Sequence, residues 1–361
     1  MGCKSADAAF WFALAGVREA AIFELLADVA TREIPRFGKR ASCRPKDLTN
    51  IISKLTVAGV HPNHAVFATA QSVFTAKGIE FAPPAFSSPN CLIWLFRFGS
   101  RNRGQRTFLA KARRQYAMNA HLLECESHEP HEAALASTQF DNPELPLVLD
   151  LGCGFGTTVL GLSTLHPEYN FLGVDRNPAT IGYALGIAER RGEGGNVRFV
   201  VGDAMDVAGM DADVVMINFP TPFASEGASE CGNSQLPGED EWMVTPSLLT
   251  KVRGRVLLLQ SNAEDVAVVM RRDAEACGWE VDTDSVGTGL WTGEKVAGLG
   301  EIREPQRCAK YVERGGERAA GEGWYGLDSP LLPEAGITET ECNARATSTP
   351  VLRCLLKRRR R

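Results

Sequence analysis

The stretch "LPLVLDLGCGFG", Leu145 to Gly156, decides the fold of this 361-residue chain. Its first half is apolar and typical of a buried strand, and its second half carries Gly152, Gly154 and Gly156. Glycine permits a sharp turn and lets a ligand approach the backbone N–H groups without a side chain in the way. The spacing differs from the dinucleotide fingerprint Gly-x-Gly-x-x-Gly, because Thr157 stands where the third glycine would fall. The turn therefore suits a nucleoside without a pyrophosphate.

Strand-like apolar runs recur after this turn, separated by helical patterns. They are "FLGVD" (Phe171 to Asp175), "VRFVVGDA" (Val197 to Ala204), "DVVMIN" (Asp213 to Asn218) and "GRVLLLQS" (Gly254 to Ser261). Thr245 followed by Pro246 predicts the start of a helix, and Gly278 predicts the end of the next one. This alternation predicts an α/β fold with a mostly parallel, doubly wound sheet.

Acidic residues end two of these strands. Asp175 lies about twenty residues after the glycines, where a carboxylate can accept hydrogen bonds from both ribose hydroxyls. Asp203 can accept a hydrogen bond from an adenine amino group. Together these features resemble the S-adenosylmethionine-dependent methyltransferases with a Rossmann-like sheet. The resemblance implies S-adenosylmethionine as cofactor, bound by Asp150, Gly152, Gly154, Gly156, Asp175, Asp203, Ala204 and Asn218.

Within that fold, four segments resemble the tRNA (guanine-N7)-methyltransferase family. They are "RRQYAMNAHLLE" (Arg113 to Glu124), "LDLGCGFG" (Leu149 to Gly156), "INFPTPF" (Ile217 to Phe223) and "CAKYVERGGERAAGEGWYGL" (Cys308 to Leu327). The resemblance implies methyl transfer to N7 of a guanine, with tRNA or another RNA as partner and an activating protein subunit as a further candidate partner. It assigns catalytic roles to Asn218, Thr221 and Glu313, and contact with RNA to Tyr311.

The chain departs from the family pattern around the acceptor. Thr221 replaces the aspartate of Asn-Phe-Pro-Asp-Pro-Trp, an acidic segment follows that motif where the family has a basic one, and Ala309 replaces a threonine. Guanine N7 carries a lone pair and needs no strong base, so activity is compatible with these changes. Two alternatives stay open: a non-catalytic RNA-binding protein that keeps the fold, and a methyltransferase with another acceptor, such as an exocyclic amine.

Charge is unevenly distributed along a chain whose net charge is -5. No acidic residue lies between Glu80 and Glu124, and the basic residues there are interleaved with aromatic ones, a pattern that favours RNA contact. Arg103, Arg106, Arg113 and Arg114 are the predicted RNA-binding residues of this segment. The sequence "KRRRR", Lys357 to Arg361, is compatible with a solvated, disordered tail or with a role in nucleic-acid binding or nuclear import.

Four regions are predicted along the chain: an α-helical region (1–81), a basic linker (82–112), the methyltransferase domain (113–327) and a disordered, basic-ended tail (328–361). The first contains two similar amphipathic stretches about 40 residues apart, which resemble octotricopeptide or FAST-kinase-like repeats; an ordinary small helical domain is the alternative. No apolar run reaches ~18 residues, and the ten cysteines form no Cys-x-x-Cys pair. We therefore expect no membrane contact and no metal, and a cytoplasmic or nuclear location, with an organelle still possible.

Overall fold

The computed structural model describes residues 3–15, 17–39, 48, 51–52, 54–55, 58–61, 64–77, 139–192, 195–220, 242–286, 289–291, 318–326, 331–332, 338, 340–341 and 351–359. The described ranges begin with the helices α1 (Lys4–Leu14), α2 (Ala20–Gly38) and α3 (Ala65–Ala76), and residues 48, 51–52 and 54–55 are also helical. The alternating part begins with β1 (Leu147–Leu151), α4 (Thr157–Leu165), β2 (Asn170–Asp175), α5 (Pro178–Arg190), β3 (Val197–Val201) and α6 (Ala204–Val207). It continues with β4 (Val214–Asn218), α7 (Pro246–Lys251), β5 (Val256–Ser261), α8 (Glu264–Ala276), β6 (Trp279–Val281) and β7 (Leu352–Arg358).

The seven strands form one sheet in the order β3-β2-β1-β4-β5-β7-β6. Strands β1 to β5 pair with one another in parallel, whereas β7 lies between β5 and β6 and is antiparallel to both. The predicted fold class, a Rossmann-like and mostly parallel sheet preceded by helices, is confirmed. The predicted helix start is also confirmed, because the Thr245 hydroxyl accepts a hydrogen bond from Leu248 N at 3.2 Å.

Helices cover both faces of the sheet because successive residues of a strand point in opposite directions. Val148 and Met216 belong to one apolar core, together with residues of α4 and α5. Leu149 and Ile217 belong to a second core, with residues of α6, α7 and α8. The two cores explain why the strands read as continuous apolar runs rather than as alternating ones.

The N-terminal helices extend the first of these cores. Phe23 of α2 is fully buried, and the guanidinium of Arg190, at the end of α5, lies 5.8 Å from the centre of its ring. Arg190 Nε also donates to the carbonyl of Ala58 at 2.8 Å, and Arg18 pairs with Glu189 on the surface. The helical region is therefore packed against the sheet domain through α5. Within the described residues, no helix is long and apolar enough to cross a membrane.

Two turns in the helical region have the same hydrogen-bond pattern. Val17 N donates to the carbonyl of Phe12, and Val60 N donates to the carbonyl of Leu55, each at 3.0 Å. Each turn precedes a helix, α2 in the first case and α3 in the second. The correspondence agrees with a duplicated helix-turn-helix unit, but the relation to known helical repeats stays a prediction.

The prediction of a disordered tail over 328–361 is wrong for the strand β7. Leu352, Cys354, Leu355 and Leu356 are at most 2% exposed. The Arg358 guanidinium lies 4.3 Å from the centre of the Trp279 ring and donates to the carbonyls of Cys277 and Thr250. Lys357 Nζ donates to Asp284 at 3.1 Å. In the sequence, the apolar run of β7 is short and basic residues follow it, a pattern that is also typical of a disordered tail. The sheet domain extends to Arg358 rather than ending at Leu327.

Candidate active site

The glycine-rich turn after β1 is shaped by backbone hydrogen bonds and by close packing. Gly152, Gly154 and Gly156 all have positive φ, at 76°, 55° and 68°. The N–H groups of Gly152 and Cys153 donate to the carbonyl of Val174 at 2.8 and 3.0 Å, which fixes the turn against β2. A Cβ on Gly156 would lie 2.5 Å from the Phe199 ring, whereas one on Gly154 would meet no atom of the described residues within 4 Å. The turn thus leaves room for a ligand at Gly154.

Two acidic residues follow the neighbouring strands. Asp175, at the end of β2, accepts hydrogen bonds from Gly154 N at 2.9 Å and from Asn177 N at 2.8 Å. Asp203 follows β3 and accepts from Met205 N at 2.8 Å, so it caps α6, which begins at the buried Ala204. A carboxylate has about four lone-pair positions, so both side chains can accept further bonds. The carboxyl ends of the parallel strands bring these predicted residues together.

Asp150 is the one acid of the turn that is buried, with 1% of its surface exposed. The pKa of Asp150 is raised to about 7, mainly by burial and also by the nearby Asp175 carboxylate. The Asn218 amide opposes both effects by donating to Asp150 Oδ1 at 2.9 Å. Asp150 and Asn218 are thus one connected pair that links the glycine turn to the end of β4.

The loop after β4 begins with strained backbone. Phe219 has a φ of 52°, the only positive φ of a non-glycine residue in the described part of the chain. An aromatic residue in this conformation costs about 1 to 3 kcal/mol and persists only where its surroundings hold it. Its N–H donates to the carbonyl of Gln260 at 2.9 Å, and Pro220 beyond it is buried. The strain lies where the sequence predicts the acceptor to bind.

Sequence reasoning missed three residues that contact this site. Gln260 and Arg353 continue the hydrogen-bonded chain beyond Asn218. Met243 Sδ lies 3.4 Å from the position that a Cβ on Gly152 would take. Gln260 could have been noticed as a polar residue inside the apolar run "LLLQS". No sequence pattern marks Met243 or Arg353, because their positions near the site depend on tertiary structure.

Cys153 lies in the glycine turn, where its side chain packs against the first apolar core. Burial and the carboxylates of Asp150 and Asp175 raise the pKa of its thiol well above the usual range. The thiol is therefore unsuited to act as a nucleophile.

No group of His, Cys, Asp and Glu in the described ranges could hold a metal ion. A separate cleft of about 320 Å³, lined by Tyr169, Arg255 and Trp291, contains none of the predicted site residues.

Comparison with known proteins points to one family. A family model described as "Putative methyltransferase" matches residues 144–226. The tRNA (guanine-N(7)-)-methyltransferase of Thermosynechococcus vestitus is 32% identical over 148 residues, which are 38% of this chain and 65% of that protein. The protein of the same name from Synechocystis sp. is 29% identical over 180 residues, 46% of this chain and 79% of that protein. The chain is thus similar in sequence to these methyltransferases over part of its length.

The extent of the match differs among these relatives. The tRNA (guanine-N(7)-)-methyltransferase of Yersinia pestis is 33% identical, but over 85 residues, 22% of this chain and 35% of that protein. The chain thus spans less than two thirds of the length of the Thermosynechococcus and Yersinia relatives. The family model ends at residue 226, eight residues after the end of β4.

The remaining predicted residues lie outside the part of the chain that the structure describes. They are Thr221, Glu313 and Tyr311 at the acceptor, and Arg103, Arg106, Arg113 and Arg114 in the basic segment. Their roles stay predictions. Of the segment that resembles the family's closing region, residues 318–326 are described. Ala319 N donates to Glu264 Oε1 at 3.0 Å, which ties this segment to the first turn of α8.

Proposed function

We propose that the chain transfers a methyl group from S-adenosylmethionine to N7 of a guanine in RNA, with tRNA as the substrate class. One observation carries the proposal: a glycine turn with open space at Gly154 lies between two strand-end acids and the Asn218 amide. The first two features suit a nucleoside cofactor, and the third suits the polar edge of a base. The substrate class is supported by the names of the relatives and by the family motif at Asn218.

The residues present fit this cofactor. The open space at Gly154 lets a ligand approach the backbone of the turn, and Asp175 is held beside it by Gly154 N. Asp175 would accept the ribose hydroxyls, and Asp203, whose side chain is 41% exposed, would accept from the adenine amino group. Asp150 and Asn218 would contact the remaining part of the cofactor.

When bound, S-adenosylmethionine supplies an electrophilic methyl group on a sulfonium, which a guanine N7 lone pair can take without first losing a proton. The residues of this chain therefore need to orient the base and exclude water rather than remove a proton. Asn218 offers both a donor and an acceptor for that purpose. Thr221 would replace a charged hydrogen bond to guanine N1–H by a neutral one, a loss of about 1 to 3 kcal/mol in base binding.

The test is methyl transfer from labelled S-adenosylmethionine to total RNA and to unmodified tRNA transcripts, with nuclease mapping of the labelled base. We expect label in N7-methylguanosine, and its loss in Asp175→Ala. Asp211→Ala is the matched control, because Asp211 is an exposed acid that precedes β4. It therefore lies at the amino-terminal ends of the parallel strands, opposite the candidate site. Label on an exocyclic amine would replace the proposed acceptor. No label, with the cofactor still bound, would favour an RNA-binding protein without activity.

The RNA side has its own test. Charge reversal at Arg103, Arg113 and Arg114 should weaken RNA binding and reduce its salt dependence, since each lost phosphate contact lowers the slope of log affinity against log salt by about 0.9 at most. Gel-shift titrations at several salt concentrations measure both quantities. Unchanged affinity would remove the basic segment from the interface.

A further inference from the structure

A chain of hydrogen-bonded side chains crosses four strands beside the acceptor loop. Arg353 Nε donates to Gln260 Oε1 at 3.0 Å, Gln260 Nε2 donates to Asn218 Oδ1 at 2.7 Å, and Asn218 Nδ2 donates to Asp150 Oδ1 at 2.9 Å. We call these four residues the amide relay. Asn218 pairs directly with Gln260 in the sheet register, and Gln260 pairs with Arg353. The relay thus follows the strand pairing from β7 through β5 and β4 to β1.

The chemistry of its two ends fixes the direction of the relay. A guanidinium can only donate hydrogen bonds, so Gln260 must present its oxygen to Arg353 and its nitrogen to Asn218. Asn218 must then present its oxygen to Gln260, which turns its nitrogen towards the carboxylate of Asp150. Neither amide can be flipped without placing two donors or two acceptors against each other. One N–H of Asn218 and one lone pair of its oxygen remain for another partner.

The far end of the relay is anchored away from solvent. Gln260, Arg353 and Glu341 are each at most 1% exposed. The Arg353 guanidinium is paired with Glu341 and also donates to the carbonyl of Gly326 at 2.6 Å. A buried arginine with these partners has a fixed side-chain position, because breaking any contact would leave a charge or a polar group unpaired.

Gln260 also holds the next residue of the loop. Its carbonyl accepts from the N–H of Phe219 at 2.9 Å, while its side chain holds the Asn218 amide. The other residues of this run, Leu257, Leu258 and Leu259, are apolar and buried, so packing alone does not call for a polar side chain at position 260. A single residue of β5 therefore constrains both the amide and the strained backbone that follows it.

We propose that Gln260 is a positioning residue for methyl transfer: it sets the orientation in which Asn218 meets the acceptor base, and Arg353 fixes Gln260. The inference rests on the proposed function for its catalytic part, and on the relay geometry alone for its structural part. Gln260 is fully buried, so it touches neither the base nor the cofactor. It acts through Asn218.

The kinetic test is a double-mutant cycle with Gln260→Glu. This change keeps an acceptor for Arg353, replaces the donor to Asn218 by an acceptor, and adds a negative charge beside the Arg353 guanidinium. We expect kcat to fall about tenfold to 100-fold, with the affinity for S-adenosylhomocysteine nearly unchanged, while the melting temperature reports separately the cost of the added buried charge. In an Asn218→Ala background the same change should alter kcat less than about twofold. Equal losses in both backgrounds, or a parallel loss of cofactor affinity, would overturn the proposal.

A second measurement keeps the inference separate from the proposed activity. In protein labelled with ¹⁵N at asparagine and glutamine, the signal that Asn218→Ala removes identifies the Asn218 side-chain amide. Gln260→Glu should shift that signal. Ser261→Ala should not, although Ser261 is also buried and polar on β5, where its hydroxyl accepts from Ala263 N. A shift in a protein without methyl transfer would overturn the proposed function but not the relay; no shift in an active protein would overturn the relay alone.

Discussion

The two halves of the sheet are held together in different ways. In the cofactor half, β1 to β3, backbone N–H groups fix the turn. Gly154 N, for example, donates a hydrogen bond to the Asp175 carboxylate, 21 residues away in sequence. In the acceptor half, β4, β5 and β7, side chains on paired strands hold one another, and Gln260 and Arg353 are 93 residues apart. A short motif can specify the first kind of site. The second kind exists only after distant strands have paired.

Removal of β7 should have the largest effect, because it breaks the acceptor half at its outer support. Deleting residues 351–361 removes the four buried apolar side chains of β7, at about 1.5 to 3 kcal/mol each, and opens the edge of β5. This loss is comparable with the entire stability of a typical domain. We expect little soluble protein and no cooperative melting by circular dichroism. Deletion of residues 360–361 is the control, and a normal melt of the longer deletion would contradict the prediction.

Two glycines should separate stability from binding in the cofactor half. In Gly156→Ala the new methyl group meets Phe199 at positive φ, so we expect a loss of about 3 to 5 kcal/mol in the free energy of unfolding. Gly154→Ala meets no described atom and should lose only about 1 to 2 kcal/mol, but its methyl group enters the ligand space. Urea unfolding and calorimetric titration with S-adenosylhomocysteine measure both. If Gly154→Ala lost more stability than Gly156→Ala but bound S-adenosylhomocysteine more tightly, the space at Gly154 would not be a binding surface.

Asp150 joins the halves, and its protonation should appear in the stability. A carboxyl whose pKa is raised to about 7 binds its proton more tightly when folded, so stability should fall as the pH rises from about 4 to about 7. The full difference in pKa corresponds to at most about 4 kcal/mol, and we expect Asp150→Asn to recover roughly 2 kcal/mol at pH 8. Urea midpoints across this pH range test it. Parallel curves for the two proteins would show that Asp150 ionises normally.

The smallest effect should come from a contact outside both halves. Arg18 and Glu189 are 37% and 44% exposed in their side chains, so solvent screens their ion pair. Arg18→Ala should reduce the free energy of unfolding by less than about 1 kcal/mol and leave cofactor binding unchanged. A larger loss in urea unfolding would mean that the N-terminal helices depend on this pair rather than on their shared core.

The cofactor half could be predicted from the sequence because each of its residues ends an apolar run. Parallel strands place such ends together, so the sequence alone brings together Asp150, the glycines, Asp175 and Asp203, with Asn218 of the acceptor half next to them. Strand β6 has three residues, too few for a pattern, and β7 reads as a short apolar run before a basic tail. Gln260 was visible as a polar residue in an apolar strand. The sequence does not indicate that Arg353 is its partner, because no local pattern shows which distant strand pairs with β5.

The late position of β7 sets an order of events during synthesis. Strands β1 to β5 lie within residues 147–261, whereas the strand that completes the sheet begins at Leu352. A nascent chain can therefore pair its first five strands while β5 still has an open edge, which is a template for association with other chains. Pairing of Arg353 with Gln260, 93 residues apart in sequence, comes afterwards. We expect a growing chain to form the cofactor turn early and to become competent for catalysis last. Correct folding then requires that the edge of β5 is protected until β7 pairs with it.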